Sequence, residues 1–310
     1  MFNKQSFRGN GKLLLTGEYF VLDGVPGIAL PTKFGQSLTI MDNFMSDLQM
    51  TSFDKHHEPW FTGSYTLPDL MKMTSSSDKI GHRFYQILKA ARELNPNFLN
   101  NFEGKIAVTH LDFPRNWGLG TSSTLIYTMA KWAEVDPFDL LKKTFGGSGY
   151  DIACASADGP IIYAKKEDGQ HFNPCKFSPF FKNNLYFVFL EKKQNSREGI
   201  ARYKEKVTPD SPLIDDMIGL SYAMGSADDL ADFEECIVKH EKLIAKTLEL
   251  ERAKDLYFKD YWGEVKSLGA WGGDFVLVTS EESEEKTRAY FLEKGFPVFL
   301  KYEEMILERD

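Results

Sequence analysis

One segment of the chain combines glycines and hydroxyl side chains in the way that a phosphate-binding turn requires. Residues 112–124 join a predicted strand, residues 105–113, to a predicted helix that includes Leu125, Met129 and Trp132 at helical spacing. Glycines let backbone N–H groups approach an anion, and the following helix adds its unsatisfied N–H groups and the positive end of its dipole. The segment therefore predicts a site for a phosphate group.

The same residues are also compatible with a turn that binds nothing. Glycine, serine and threonine form tight turns and cap helices in many proteins without a ligand. The segment does not end in the Gly-Lys-Ser/Thr of a Walker A loop, and it does not match the GxGxxG fingerprint. If it does bind phosphate, the hydroxyls of Thr121, Ser122, Ser123 and Thr124 are well placed for phosphate oxygens or a hydrated magnesium ion.

The composition limits the kind of ligand. The chain has 310 residues, enough for about two domains of usual size. Lys and Arg number 37 against 45 Asp and Glu, which leaves a formal net charge of −8. Such a surface has no general attraction for nucleic acid or for an anionic membrane. We therefore expect a small-molecule substrate that is held by a local site.

Cysteine usage and the N-terminal sequence predict a cytoplasmic protein. Cys154, Cys175 and Cys236 are widely separated and form no CxxC pair, which is typical of free thiols in a reducing compartment. Residues 1–8 lack the apolar core of a signal peptide, and no run approaches the roughly 20 apolar residues that span a bilayer. The six histidines show no metal-ligand spacing. We expect no membrane partner, and a monomer or a homodimer.

The elements that would position the turn alternate between strands and helices, which predicts an α+β protein. A helix from Asp78 to Leu94 is expected to stop at Asn95-Pro96, and Asp136 with Pro137 predicts the start of another helix. The polar region of residues 165–184 is a candidate domain boundary. Further strands are predicted at residues 12–16, 27–30, 36–41, 160–164, 185–190, 275–279 and 297–302, and further helices at residues 148–157, 228–248 and 284–294.

Three more segments, taken with the turn, resemble the small-molecule kinases of the GHMP superfamily. They are residues 11–27, residues 148–153 and the glycine-rich residues 266–275, in this order along the chain. The likeness is greatest to the mevalonate and phosphomevalonate kinases, and it runs from about Gly11 to the C-terminus. It implies a two-domain GHMP kinase fold, with a ribosomal protein S5 domain 2-like N-terminal domain at residues 1–175 and a ferredoxin-like C-terminal domain at residues 176–310.

The resemblance implies ATP- and Mg²⁺-dependent phosphoryl transfer to a small carboxylated alcohol of the mevalonate pathway, mevalonate or phosphomevalonate. Asp151 matches the catalytic aspartate of these kinases, and Lys12 matches the lysine that approaches that aspartate and the transferred group. Ser122 matches the loop serine that contacts the metal or a phosphate. The resemblance further assigns ATP binding to Gly118, Leu119, Gly120, Thr121, Ser122, Ser123, Gly269, Gly272 and Gly273, and substrate binding to Glu18, Tyr19, Ser196 and Arg197.

The sequence departs from the pattern of these kinases at two places. Residues 140–143 contain no acid where mevalonate kinases have a glutamate that helps to hold Mg²⁺. Trp117 and Trp271 lie beside the two phosphate-facing turns, where they could stack on a ligand or narrow the site. Asp151 could also be a helix cap and Lys12 a solvated surface residue. Two alternatives for the whole chain are a diphosphomevalonate decarboxylase-like enzyme and a GHMP-fold binding or regulatory module without turnover.

Overall fold

The computed structural model describes residues 4–192, 196–208, 211–269, 271 and 273–309. The strands are β1 (Lys4–Leu14), β2 (Gly27–Asp42), β3 (Asp47–Phe53), β4 (Pro59–Thr66), β5 (Lys72–Ser75), β6 (Lys105–Leu111), β7 (Ile161–Lys166), β8 (Gly169–Pro174), β9 (Leu185–Phe189), β10 (Val265–Ser267), β11 (Phe275–Thr279) and β12 (Phe299–Lys301). The helices are α1 (Asp78–Leu94), α2 (Thr121–Ala133), α3 (Pro137–Thr144), α4 (Tyr150–Ser156), α5 (Ser196–Lys206), α6 (Pro212–Gly225), α7 (Leu230–Leu248), α8 (Ala253–Tyr257), α9 (Glu284–Glu293) and α10 (Tyr302–Met305).

The chain divides into two compact units, each built from several segments. The first unit comprises residues 1–11, 34–115 and 119–156, and the second comprises residues 12–33, 116–118 and 157–310. Strand β2 therefore contributes its second part to the first unit and its first part to the second. The predicted domain boundary between residues 175 and 176 stays a prediction.

In the first unit, the helices pack against a mixed sheet. β3 runs parallel to β6 and antiparallel to β4, and β6 pairs antiparallel with residues 36–42 of β2. Two predicted helix starts are confirmed: Asp136 accepts hydrogen bonds from the N–H groups of Phe138 and Asp139 at the start of α3, and α1 begins at Asp78. The apolar faces of the helices and the sheet share one core, which includes Leu38, Ile40, Phe84, Leu88, Ile126, Met129 and Leu140.

In the second unit, an antiparallel four-stranded sheet has the order β10-β11-β9-β12. Every residue of β9 and β11 is buried, as the apolar runs in their sequence predict. Residues 27–29 of β2 pair with β7, which in turn pairs with β8. One core of this unit packs Phe20 and Val25 against Ile244 and Leu248 of α7 and against Trp271.

The strands predicted at residues 27–30 and 36–41 are both present, but they are parts of one continuous strand, β2, although Pro31 lies inside it. Residues 27–29 pair with β7 and residues 36–42 pair with β6, so Pro31 lies outside both of these pairings; β1 also pairs with β2. The polar candidate boundary, residues 165–184, contains a strand, β8, that the sequence did not indicate.

Within the described residues, no helix has both the length and the apolar character needed to cross a membrane.

Candidate functional site

The turn before α2 has the backbone shape of an anion site. Gly118 and Gly120 have φ angles of 68° and 93°, in the left-handed region that a residue with a Cβ atom seldom adopts. Gly120 is the N-cap of α2, and no side chain caps the helix start. The N-cap residue therefore supplies no side-chain acceptor for the first N–H groups of this 13-residue helix. A phosphate oxygen fits this position on the grounds of both charge and hydrogen bonding.

The hydroxyls of the turn divide into two sets. Ser123 donates to the carbonyl oxygen of Gly120 at 2.9 Å, and Thr124 donates to Gln36 Oε1 at 2.8 Å. Both side chains are buried, as is the predicted site residue Leu119. Ser122 is exposed, and Thr121 is half-buried. The side chain of Ser122 therefore best fits the predicted contact with a metal or phosphate, whereas the hydroxyl of Ser123 already has a partner.

Asp151 lies at the start of α4, after Gly149 with a φ of 93°. Its side chain is half-buried, and its Oδ1 accepts a hydrogen bond from the N–H of Ile152 at 3.0 Å. This contact holds the carboxylate at the first turn of the helix. The predicted catalytic role of Asp151 and the capping role are both compatible with this position.

In the second unit, Lys12 joins three of the glycine-containing segments. Its Nζ donates to the carbonyl oxygen of Gly118 at 2.8 Å. A Cβ atom at Gly269 would lie 3.9 Å from the same Nζ, so this glycine turn also passes close to the ammonium group. Lys12 is half-buried rather than a fully solvated surface residue. The sequence predicted Lys12, Gly118 and Gly269 as site residues, and the fold brings them together.

Asp274 is an acidic residue of this region that the sequence did not indicate. A Cβ atom at position 118 would overlap the Asp274 carboxyl group, so only glycine fits beneath it. The backbone of Asp274 is left-handed, with a φ of 51°, and its N–H donates to the carbonyl oxygen of Lys192 at 2.8 Å. The Gly-Gly-Asp sequence that ends the third glycine segment was the available signal, because aspartate tolerates this conformation better than most residues.

The two tryptophans beside the turns belong to the protein framework. Trp271 is only 2% exposed, and its Nε1 donates to Glu241 Oε1 at 3.1 Å. Trp117 packs edge-to-face on Phe275, with ring centroids 5.4 Å apart. Trp271 therefore does not stack on a ligand. Gly273 in the same turn is also buried, and Gly272 lies outside the described residues.

Glu18, predicted to bind substrate, is the centre of a buried charged cluster. The cluster consists of Glu18, His240, Glu241, Lys266 and Trp271, and each of these side chains is at most 2% exposed. Lys266 Nζ donates to Glu18 Oε1 at 2.6 Å and to Glu241 Oε1 at 3.5 Å. His240 Nε2 lies 3.0 Å from Glu18 Oε2. Glu18 Oε1 is thus hydrogen-bonded to Lys266, and Oε2 lies against the His240 ring.

The two carboxyl groups of the cluster differ in their proton affinity. Burial alone would raise the pKa of Glu18, but Lys266 and His240 together outweigh burial and hold the pKa below its usual value. Burial also raises the pKa of Glu241, and there the more distant Lys266 does not outweigh it. The sequence offered a signal that His240 and Glu241 are buried. Both lie on the same face of α7 as the apolar residues Phe233, Ile237 and Ile244.

Tyr19 has a strained backbone, with φ 62° and ψ −41°. Its ring stacks on Tyr203 with centroids 6.2 Å apart, and its hydroxyl group fills the place that a Cβ atom at Gly199 would occupy. Tyr19 therefore contacts the first turn of α5, which begins at Ser196. The side chains of Ser196 and Arg197, both predicted to bind substrate, lie outside the described part of the structure.

No group of three or more His, Cys, Asp or Glu residues suited to a metal ion occurs among the described residues. A protein cage of the kind that holds Zn²⁺ or Ca²⁺ is therefore not formed by these side chains. Mg²⁺ has different needs, because it commonly keeps several waters and is shared between one or two protein groups and substrate phosphates. The exposed Ser122 beside the uncapped start of α2 fits that pattern.

Comparison with known proteins shows the fold. No family profile and no curated protein sequence matches the chain. The mevalonate kinase of Methanococcus jannaschii matches with a TM-score of 0.75 at 16% identity, over 99% of this chain and 99% of that chain. The phosphomevalonate kinase of Streptococcus pneumoniae has a TM-score of 0.68 at 13% identity, over 96% of this chain and 99% of that chain. Mevalonate diphosphate decarboxylase from Staphylococcus aureus has a TM-score of 0.63 at 12% identity, over 100% of this chain and 97% of that chain.

These structural neighbours are GHMP-family kinases and a decarboxylase that shares their fold. Identities this low carry the fold and no more. The predicted α+β class and the two-domain GHMP kinase fold are confirmed.

Proposed function

We propose that this chain is an ATP- and Mg²⁺-dependent kinase that transfers a phosphoryl group to a small carboxylated alcohol, mevalonate or phosphomevalonate. The observation that carries the proposal is the position of Lys12, 2.8 Å from the carbonyl oxygen of Gly118 and beside the turn of Gly269. Phosphoryl transfer depends mainly on positioning and on stabilising the charge of the transferred group. An ammonium group among glycine turns meets both needs.

The nucleotide site is proposed at the start of α2. The turn of Gly118 and Gly120 and the uncapped helix N-terminus receive the phosphates of ATP, and the exposed hydroxyl of Ser122 completes the contact with Mg²⁺ or a phosphate oxygen. When bound, Mg²⁺ neutralises the charge that develops on the phosphates. The missing acid at residues 140–143 is compatible with this arrangement, because substrate phosphates supply part of the ligand set.

Asp151 is proposed to accept or orient the proton of the acceptor hydroxyl. A carboxylate held at the first turn of a helix keeps a fixed position, which suits a general base. The first turn of α5 is proposed to receive the acceptor through Ser196 and Arg197, next to Tyr19. The strained backbone of Tyr19 supports a functional role, because strain of this kind clusters at ligand sites.

A panel of acceptors tests the proposal. ADP release would be measured with mevalonate, phosphomevalonate, homoserine and galactose, and we expect turnover with one of the first two. Activity with only homoserine or galactose would contradict the acceptor class and leave the kinase reaction standing. Release of CO₂ from diphosphomevalonate would instead assign the chain to the decarboxylase reaction.

Calorimetric titration separates the kinase from a binding or regulatory module. A kinase should bind ATP more tightly with Mg²⁺ than without it, since the metal neutralises phosphate charge in the site. A chain that has lost its nucleotide site should show no magnesium-dependent binding. That result would contradict the proposed function even if another ligand bound.

A further inference from the structure

The charged cluster around Glu18 connects the two turns on which the proposed kinase reaction depends. Glu18 follows the strand that carries Lys12, and Lys266 lies in β10, three residues before Gly269. Trp271 lies in the turn after Gly269, and its Nε1 donates a hydrogen bond to Glu241 Oε1 in the cluster. The cluster therefore spans the gap between the first and third glycine segments, both in the second unit.

The ionic pairing in the cluster is unequal. Lys266 Nζ is 2.6 Å from Glu18 Oε1 but 3.5 Å from Glu241 Oε1, so one ammonium group mainly serves one carboxylate. Two ionised carboxylates would compete for this one ammonium group in a buried region, where a carboxylate without its own partner is costly. A proton on the second carboxyl group removes that competition.

The atoms around Glu241 agree with a bound proton. Its Oε2 is buried without a hydrogen-bond partner among the described residues, as are His240 Nδ1 and Glu18 Oε2, but Glu18 Oε2 lies 3.0 Å from His240 Nε2. An unpaired carboxylate oxygen is costly to bury, and a neutral carboxyl group costs much less. The raised pKa of Glu241 also favours the protonated carboxyl group. The charged or titratable groups that face Glu241 are Glu18, His240, Lys266 and Arg252, and Arg252 is paired with Asp255 at 2.7 Å.

We propose that Glu241 holds one exchangeable proton, and that in this state Lys266 and Glu241 act as positioning residues that fix the turn of Gly269 relative to Lys12. The inference rests on the proposed kinase function. Loss of the proton at high pH gives Lys266 a second ionised partner and weakens its bond to Glu18. The two turns then separate or tilt, and phosphoryl transfer slows while the nucleotide still binds.

Infrared spectroscopy tests the proton without any need for turnover. A protonated buried carboxyl group has a C=O stretching band that an ionised carboxylate lacks, and we expect this band in the full-length protein at neutral pH. Glu241→Gln should remove the band. Glu235→Gln, which changes an exposed acid on the same helix, should keep it. A band that persists in Glu241→Gln, or that is absent from the unmodified protein, overturns the assignment of the proton.

The pH profile of kcat tests the positioning role. Unmodified protein should lose kcat on the alkaline side, with little change in KM for ATP. Glu241→Gln cannot ionise and should lose this alkaline decline, whereas Glu235→Gln should retain it. An unchanged decline in Glu241→Gln overturns the positioning role. Lys266→Met should lower kcat about a hundredfold, the loss that about 1 Å of misplacement causes.

The two proposals fail in different ways. If no acceptor supports turnover but the infrared band depends on Glu241, the proposed function is wrong and the proton assignment stands. If turnover is present and neither the band nor the alkaline decline depends on Glu241, the cluster is a static ion pair and the further inference is wrong.

Discussion

The polar groups at the start of α2 and the charged groups around Glu18 both follow glycine-containing segments, but the fold treats them in opposite ways. At α2, Ser122 is exposed and no side chain caps the helix. Around Glu18, the charged side chains are buried and paired with each other. Polar groups that are left open to solvent are available to a ligand, whereas those that satisfy one another build the framework. Changes at the first region should affect turnover with little effect on stability, whereas changes at the second should affect stability as well as turnover.

The largest expected effect is the loss of turnover in Asp151→Asn. If the carboxylate takes the hydroxyl proton, kcat should fall by a factor on the order of 100 to 10,000, measured as ADP release. ATP binding and the unfolding midpoint should stay close to those of the unmodified protein. Asp139→Asn, an exposed acid in the first turn of α3, serves as the control and should retain kcat. Full turnover in Asp151→Asn would show that this residue is only a cap.

At the buried cluster, Lys266→Met should cost about 3–5 kcal/mol of unfolding free energy, because Glu18 is left as a buried charge without its main partner. Denaturant unfolding measures the loss. Lys239→Met removes the exposed partner of Glu235 and should change stability little. Adding Glu18→Gln to Lys266→Met should recover part of the stability. Equal unfolding curves for the two lysine variants would contradict the comparison between open and buried polar groups.

A smaller effect is expected from Gly118→Ala. The left-handed backbone costs about 1–2 kcal/mol for any residue with a Cβ atom, and the new methyl group also meets Asp274. Gly146→Ala is the matched control, since its φ of 65° carries the same strain but nothing lies within 4 Å. Unfolding should therefore be affected more at position 118. Adding Asp274→Ala should remove the difference, and failure to do so would rule out the contact as its cause.

The smallest effects are opposite pH dependences of stability, at most about 1.4 kcal/mol per pH unit. Glu241 keeps its proton above the ordinary value of 4.5, where the unfolded chain releases it, so this group lowers stability as pH rises. Glu241→Gln should gain stability relative to the unmodified protein with rising pH. Glu18 has a lowered pKa and contributes stability that is lost as pH falls below 4.5. Glu18→Gln should therefore be most harmful at neutral pH, and parallel pH curves would contradict both directions.

Helix caps and apolar runs in the sequence predicted several helices and strands correctly. Asp136 and Pro137 marked the start of α3, and the apolar run of residues 275–279 is strand β11. Caps and apolar periodicity act over a few residues, so they can be read from the sequence. Strand β8 could not be predicted in this way, because it shows no apolar alternation and none of its residues is buried. It exists because it pairs with β7, and pairing is a property of the fold.

The candidate site was predictable to different degrees. Lys12, Gly118 and Gly269 were expected together, and the contacts of Lys12 join them. Lys266 and Glu241 were missed, although Lys266 lies within the third glycine segment. A buried lysine has the same sequence signal as a solvated one, and only the position of its partner separates the two.

The sequence by itself determined the left-handed turns, the helix starts and the apolar strands, because glycine geometry, capping and side-chain periodicity are local properties. Tertiary structure alone decided which charged residues pair and which stay open to a ligand. Glu18 and Lys266 are 248 residues apart in the chain and meet at 2.6 Å. The physical reason is that a buried charge is stable only beside its partner, and the distance between two side chains depends on how the whole unit packs.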